Sequence, residues 1–270
     1  KFFLIYLRMD KQSTESFYYT VCRVTVKKRT YSLITIENTV DNKDLRTKLF
    51  HYQTGNLFEA CPVENTRKLL YSTRDSTFKR FTLDTLFQSE RFWVITDISF
   101  YEDLNRSNKD QNKSITVSET EKINQIDIYS LVACAKHQEE LEIHSVSSSE
   151  KCRGLGLSAF LMDSVLCYLK AVALESKGEY KRIFLSTAEY LNLANSIYQK
   201  RGFVKNKERE RVLYIIGSEM GNEEEYLEVR DKARQSLSIM DEEVKDRLLD
   251  EIAYKLVLVV YELPLEDQKA

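Results

Sequence analysis

Apolar and polar residues alternate over residues 17–28 and again over 31–37, with aromatic and β-branched side chains throughout, and this period of two predicts two strands. Residues 41–52 and 66–88 carry a helical pattern interrupted by Thr and Ser, and 92–99 returns to a strand pattern. Strands are expected at 126–136 and 140–147. Leu157, Phe160, Leu161, Val165, Tyr168 and Val172 then recur at helical spacing, which makes 154–176 the best-defined helix of the chain. A short buried strand at 182–186, a helix at 190–200, and strands at 212–216 and 255–263 forming one antiparallel pair complete the pattern.

Two stretches interrupt this order. Residues 102–125 turn to Asn, Ser, Lys, Asp and Glu with few apolar side chains, too few to offset the entropy of ordering them, so a mobile insertion is expected. Residues 223–252 are dense in charge, with Leu227, Leu237, Val244, Leu248 and Ile252 as apolar positions, and predict one or two inserted helices. Strands and helices in mixed order imply an α+β, mixed α/β class. The expected organisation is an N-terminal extension over 1–30 and one domain over 31–270, with insertions at about 102–125 and 221–253.

Composition narrows the classes of function. The chain has 270 residues, 43% of them hydrophobic, enough for one substantial core. Its formal net charge of -2 offers no general attraction to a polyphosphate, so a nucleic-acid partner is not expected. Five cysteines, Cys22, Cys61, Cys134, Cys152 and Cys167, are an odd number without metal-type pairing, which points to a reducing, intracellular setting, cytoplasmic or nuclear. Cys134 and His137 are at most half a zinc set, and no metal site is expected. The apolar opening 2–7 is too short to span a bilayer, and no membrane partner is expected. With Lys1 first and Met9 close behind, the start reads either as a fragment or upstream extension or as an ordinary first strand.

The candidate chemistry lies between residues 150 and 203. Arg153-Gly154-Leu155-Gly156 stands directly before the best helix, a turn whose outward N–H groups join the positive end of a helix dipole. Such a turn is a diphosphate cradle. A short strand then leads to a second helix ending at Tyr198-Gln199-Lys200-Arg201-Gly202-Phe203, where Gly202 supplies a left-handed stop. Lys27-Lys28-Arg29 is too short for a basic patch and reads as a strand end in water.

Together these elements resemble the acetyl-coenzyme A binding half of the GNAT superfamily of N-acetyltransferases, over about 126–203, with the ends matching by element order alone. The superfamily's cofactor turn has Arg or Gln, two residues, Gly, one residue, then Gly or Ala. Arg153, Gly156 and Ser158 take those places, and Ser158 is a departure whose hydroxyl competes for a backbone partner. Glu140, Ser147-Ser148, Glu150 and Arg153-Gly-Leu-Gly are similar to the corresponding stretch in histone-lysine acetyltransferases, where the glutamate is the general base. In the second motif, Asn192, Ala194, Tyr198, Lys200, Gly202 and Phe203 match, with Asn192 one place later than in many members.

The resemblance implies a mostly antiparallel central sheet flanked by helices, acetyl-CoA as co-substrate, and direct acetyl transfer to a primary amine. That amine is a protein lysine or N-terminus, or a small molecule. Cofactor contacts are implied at Val146, Ser148, Arg153, Gly154, Leu155, Gly156, Leu157, Ser158 and Asn192. Strand alternation puts Glu140, Glu142 and His144 on one face, opposite Leu141, Ile143 and Ser145. Glu140 is the expected base, with His144 in reserve and Glu142 or a merely solvated face as alternatives. Tyr198 is either the acid that protonates the leaving thiolate or a core tyrosine packed on the sheet. A backbone amide near Val146 would polarise the carbonyl. The rival function is a degenerate member that binds acyl-coenzyme A or a partner without turnover. Acceptor identity and oligomeric state stay open.

Overall fold

A computed structural model describes residues 19–37, 45, 47–49, 51–53, 56, 63, 90–108, 125–217, 219–238 and 240–265. These residues divide into two compact units. One comprises the described residues up to 56, those from 90 to 181, and 265; the other comprises 63 and 182–264. Both are built of antiparallel strands flanked by helices, the mixed α+β architecture expected from the sequence.

In the first unit, β1 (Tyr19–Val26), β2 (Arg29–Glu37), β3 (Arg91–Asp97), β4 (Ser130–Lys136) and β5 (Glu140–Ser148) pair antiparallel in that order. Ile34 and Ile36 on β2 and Leu141 and Ile143 on β5 are buried at alternating positions, whereas on β3 and β4 the adjacent pairs Val94–Ile95 and Leu131–Val132 are buried on both faces of the sheet. Helix α1 (Ile98–Asn108) packs on β1–β3 and α2 (Leu157–Glu175) on β3–β5. By length and apolarity alone α2 is long enough to cross a bilayer; its Leu157, Leu161, Met162, Val165, Leu166 and Leu169 are instead buried in the unit's core.

In the second unit the pairing runs β6 (Arg182–Ala188), β9 (Ala253–Pro264), β7 (Val204–Ile216), β8 (Glu219–Gly221). Helix α3 (Asn192–Gln199) follows β6, and α4 (Glu223–Ser236) and α5 (Glu242–Ile252) stand between β8 and β9, packed on each other and on β7 and β9.

The elements depart from the sequence reading at several points. The strand expected over 92–99 stops at Asp97, whose carboxylate Oδ1 accepts from Ser99 N at 2.9 Å and so starts α1. That helix runs to Asn108, so the beginning of the expected mobile insertion is ordered helix, while 109–124 lie outside the described residues. Strand β7 begins at Val204 rather than 212: its polar run carries no apolar alternation to read, yet Lys205, Asn206 and Arg211 pair with β9 on either side of a register irregularity, and Lys205–Glu210 and Arg209–Glu262 ion pairs at 2.8 and 2.7 Å lie along it. In the inserted helices Leu227, Val244 and Ile252 are exposed, and Lys245 and Leu249 are buried instead, one residue round the helix from the expected stripe. The helical segment expected at 66–88 and the apolar opening 2–7 lie outside the described residues.

Candidate active site

Strand β5 passes into α2 through a single 3₁₀ turn, Glu150–Cys152, then Arg153 in extended backbone, then Gly154 at φ +77° and Gly156 at φ +81°. Two left-handed residues so close together are why both positions are glycine. The helix therefore starts at Leu157, three residues later than the spacing predicts. The turn closes on itself through Cys152 N to Ser149 O (2.9 Å), Arg153 N to Glu150 O (3.1 Å) and Leu155 N to Cys152 O (3.3 Å). The first intrahelical donor is Phe160 N, bonded to Gly156 O at 3.0 Å. The amides of Gly156, Leu157 and Ser158 precede that first bond, no side chain caps this helix, and no acidic residue stands in its first turn. Donors aimed along a helix axis at its positive end suit a diphosphate, so the turn fits the coenzyme that the sequence suggested. Arg153 is exposed beside it, 3.6 Å from Glu150.

The far side of the turn is pinned by aromatics. Tyr129 O accepts both Ser149 N (3.0 Å) and the Tyr52 hydroxyl (2.9 Å), and burial pushes the Tyr52 phenol well above its ordinary range. Ser158, the departure from the family pattern, does not compete for backbone. Ser130 Oγ donates to Ser147 O (3.0 Å), so its contact with Ser148 Oγ (2.8 Å) must be donated by Ser148. The Ser148 proton is thereby used, and the 2.5 Å Ser148–Ser158 bond is donated by Ser158. Four serines thus link the end of β5 to the first turn of α2.

Alternation fails in the middle of β5. From Leu131 to Ala133 on β4 the partners run from Ser147 to His144, so Ser145 and Val146 together face Val132 in a β-bulge, with Ser145 at φ +58°. The sequence reading put Glu140, Glu142 and His144 on one open face. Pairing is regular from Leu141 to His144, so the three do share a face, but they differ in exposure: His144 is buried, as is Ser145 at the bulge beyond it, while Glu140 and Glu142 are half-buried. Ser145 Oγ donates to Gln53 Oε1 at 2.9 Å, leaving only a lone pair for His144 Nδ1 at 2.8 Å, so Nδ1 carries the ring proton. Burial, and secondarily the nearby His137, lower the His144 pKa to about 3. A ring that weakly basic holds no proton taken from an ammonium, which argues against His144 as the base. Glu142 pairs with His137 Nε2 at 2.8 Å, and Glu140 opens the strand, its carbonyl accepting His137 N at 2.8 Å. The bulge also sits where a free backbone amide was expected: its extra residue has no opposite number on β4.

Tyr198 and Asn192 lie in the second unit. Tyr198 is buried, its ring 6.4 Å from Phe203 and 5.9 Å from Tyr261, and burial raises its phenol pKa well above the ordinary value. Asn192 is exposed in the first turn of α3, and Gly202 at φ +85° ends that segment, as its sequence position predicts. Cys134, the half-zinc candidate, is buried in β4, which pushes its thiol up to about 12.

The roles that sequence reasoning missed belong to Gln53, Ser130 and Lys27. Gln53 and Lys27 reach the site across 92 and 127 residues, and no local pattern marks them.

No family model matches the chain, and no curated protein sequence does. Among solved structures it is similar to spermidine N-acetyltransferase from Vibrio cholerae in complex with CoA and spermine, at 14% identity and TM-score 0.39, over 86% of this chain and 95% of that one. It is similar to IAA acetyltransferase from Bacillus cereus at 13% identity and TM-score 0.37, over 77% and 95%. Arabidopsis thaliana NAA60 in complex with a bisubstrate analogue matches at 11% identity and TM-score 0.37, over 77% and 98%.

Proposed function

We propose that the chain is an acetyl-coenzyme A dependent N-acetyltransferase that transfers the acetyl group directly to a primary amine. The observation that carries this reading is the uncapped start of α2 behind two left-handed glycines. The amides of Gly156, Leu157 and Ser158 would hold the diphosphate, with Arg153 beside them. The bulge at Ser145–Val146 would present a backbone N–H to the thioester oxygen, and Ser148 would fix the end of that strand. Glu140 is the proposed base, taking the ammonium proton directly or through water, since His144 is too weakly basic and Glu142 is engaged with His137. The neutral amine attacks the carbonyl carbon, the carbon–sulfur bond breaks, and the thiolate takes a proton.

Tyr198 is proposed to supply or share that proton. Its raised pKa makes it a hydrogen-bond donor to a thiolate more readily than a full acid, so Tyr198→Phe is expected to lower kcat by roughly 10-fold with coenzyme A affinity kept. An unchanged kcat assigns the ring to packing alone. The buried His144 and Tyr198 favour one second reading, a module that binds acyl-coenzyme A without turnover. Calorimetry with coenzyme A followed by a screen of lysine peptides, peptide N-termini and polyamines separates the two: binding with no product from any acceptor selects the module. The free thiols at Cys22, Cys134, Cys152 and Cys167 fit a cytoplasmic or nuclear setting.

A further inference from the structure

We infer that Lys27, from the hairpin joining β1 and β2, is a diphosphate-binding residue of the α2 turn. The inference rests on the coenzyme A reading and names a contact outside the family's cofactor motif. Lys27 and Lys28 form the two-residue connection between Val26 and Arg29, at φ +47° and +68°. Such a turn favours Asn-Gly, so two non-glycine residues in the left-handed region are strained. That geometry brings the Lys27 side chain across the cofactor turn. Its Nζ donates to Gly154 O at 2.7 Å, and its Cε lies 3.1 Å, and its Nζ 3.6 Å, from where a Cβ on Gly156 would stand.

The placement matches the chemistry. Lys27 reaches the turn with an ammonium that has three donors, of which Gly154 O takes one, so two more can serve a ligand oxygen beside Gly156. Backbone amides supply partial charge only, whereas a diphosphate carries full charges that an ammonium neutralises directly. The glycine at 156 thus does more than permit its backbone angle: its missing side chain is the space through which the lysine stem passes. Lys28 has the same charge and the same kind of backbone angle one residue on, and the structure gives it no contact with the turn among the described residues, so it is the matched control.

The test is calorimetry on the full chain with coenzyme A and with dephospho-coenzyme A, at low and high salt, for wild type, Lys27→Met, Lys27→Arg and Lys28→Met, each checked by circular dichroism. Lys27→Met keeps the stem and removes the charge; it is expected to weaken both ligands roughly tenfold, as the loss of a charged hydrogen bond does, and to flatten the salt dependence. Lys27→Arg is expected to restore most of the affinity, and Lys28→Met to change it less than about twofold. Equal affinity in Lys27→Met and wild type overturns the inference while the coenzyme reading stands. Tighter binding in Lys27→Met also overturns it, since the lysine would then be a plug. A loss seen with coenzyme A and absent with dephospho-coenzyme A overturns it by moving the contact to the ribose phosphate. If wild type binds neither ligand, the coenzyme reading and this inference fall together.

Discussion

The chain starts two of its helices in opposite ways. Helix α4 closes its own N-terminus: Asn222 accepts Glu225 N at 2.9 Å, the Glu225 carboxylate accepts Asn222 N at 3.1 Å, and Glu223, Glu224 and Glu225 place three acids in the first turn. Helix α2 has none of this. Its cap is a glycine, which makes no side-chain cap bond, and its first turn holds no acid. A helix that satisfies its own donors is a structural part. One that starts without a side-chain cap, behind a glycine turn, suits an anion from outside.

The comparison breaks most completely at Gly156. Gly156→Glu puts a side chain where φ is +81° and the Lys27 stem lies 3.1 Å from the new Cβ, and it brings a carboxylate to the positive end of the helix. Coenzyme A binding is expected to vanish in calorimetry, with circular dichroism unchanged; a folded variant with wild-type affinity removes the open start as the coenzyme site. Glu140→Gln asks whether the strand feeding that start carries chemistry. A kcat loss of roughly 10²-fold with retained coenzyme A affinity is expected, and wild-type turnover would pass the role to Glu142.

The strand before the open start also carries a titrating group that the closed start lacks. His144 is neutral in the fold with a pKa of about 3, against an ordinary value of 6.5. The unfolded chain takes up its proton first, so this contribution is constant above about pH 6.5 and stability then falls as pH drops toward about 3, by about 1.4 kcal/mol per unit at most. Urea unfolding from pH 7 to pH 5 should show that slope in wild type and lose it in His144→Gln; identical slopes in the two would show that His144 is not the buried neutral ring described. The smallest effect belongs to the closed start. Asn222→Ala is expected to cost about 1 kcal/mol of stability and leave coenzyme A affinity untouched. A change in affinity would mean the two helix starts are not independent.

What the sequence showed follows from how local each signal is. Gly154 and Gly156 before a striped helix, and Gly202 after the next, are short-range requirements on backbone angle, and all three are legible from their neighbours alone. The exposure of β5 was not: Glu142 and His144 share a face in regular pairing, yet His144 is buried, bonded to Ser145, which reaches Gln53 across 92 residues. Strand β7 hid for a related reason: Lys205, Asn206, Lys207, Glu208, Arg209 and Glu210 gave no apolar alternation to read. Lys27 was read as a residue in water because its partner lies 127 positions away, a distance at which sequence spacing says nothing.

The lysine stem lying where Gly156 lacks a Cβ has one more consequence, and it concerns inheritance. Positions 27 and 156 share one volume, so neither can change as though the other were absent. A methyl group arriving at 156 meets backbone strain in every background, but it meets the 3.1 Å crowding only while a long residue stands at 27. A chain that first shortened residue 27 would therefore meet the change at 156 with backbone strain alone, whereas one that changed 156 first would also have to shift the lysine end by a few tenths of an ångström.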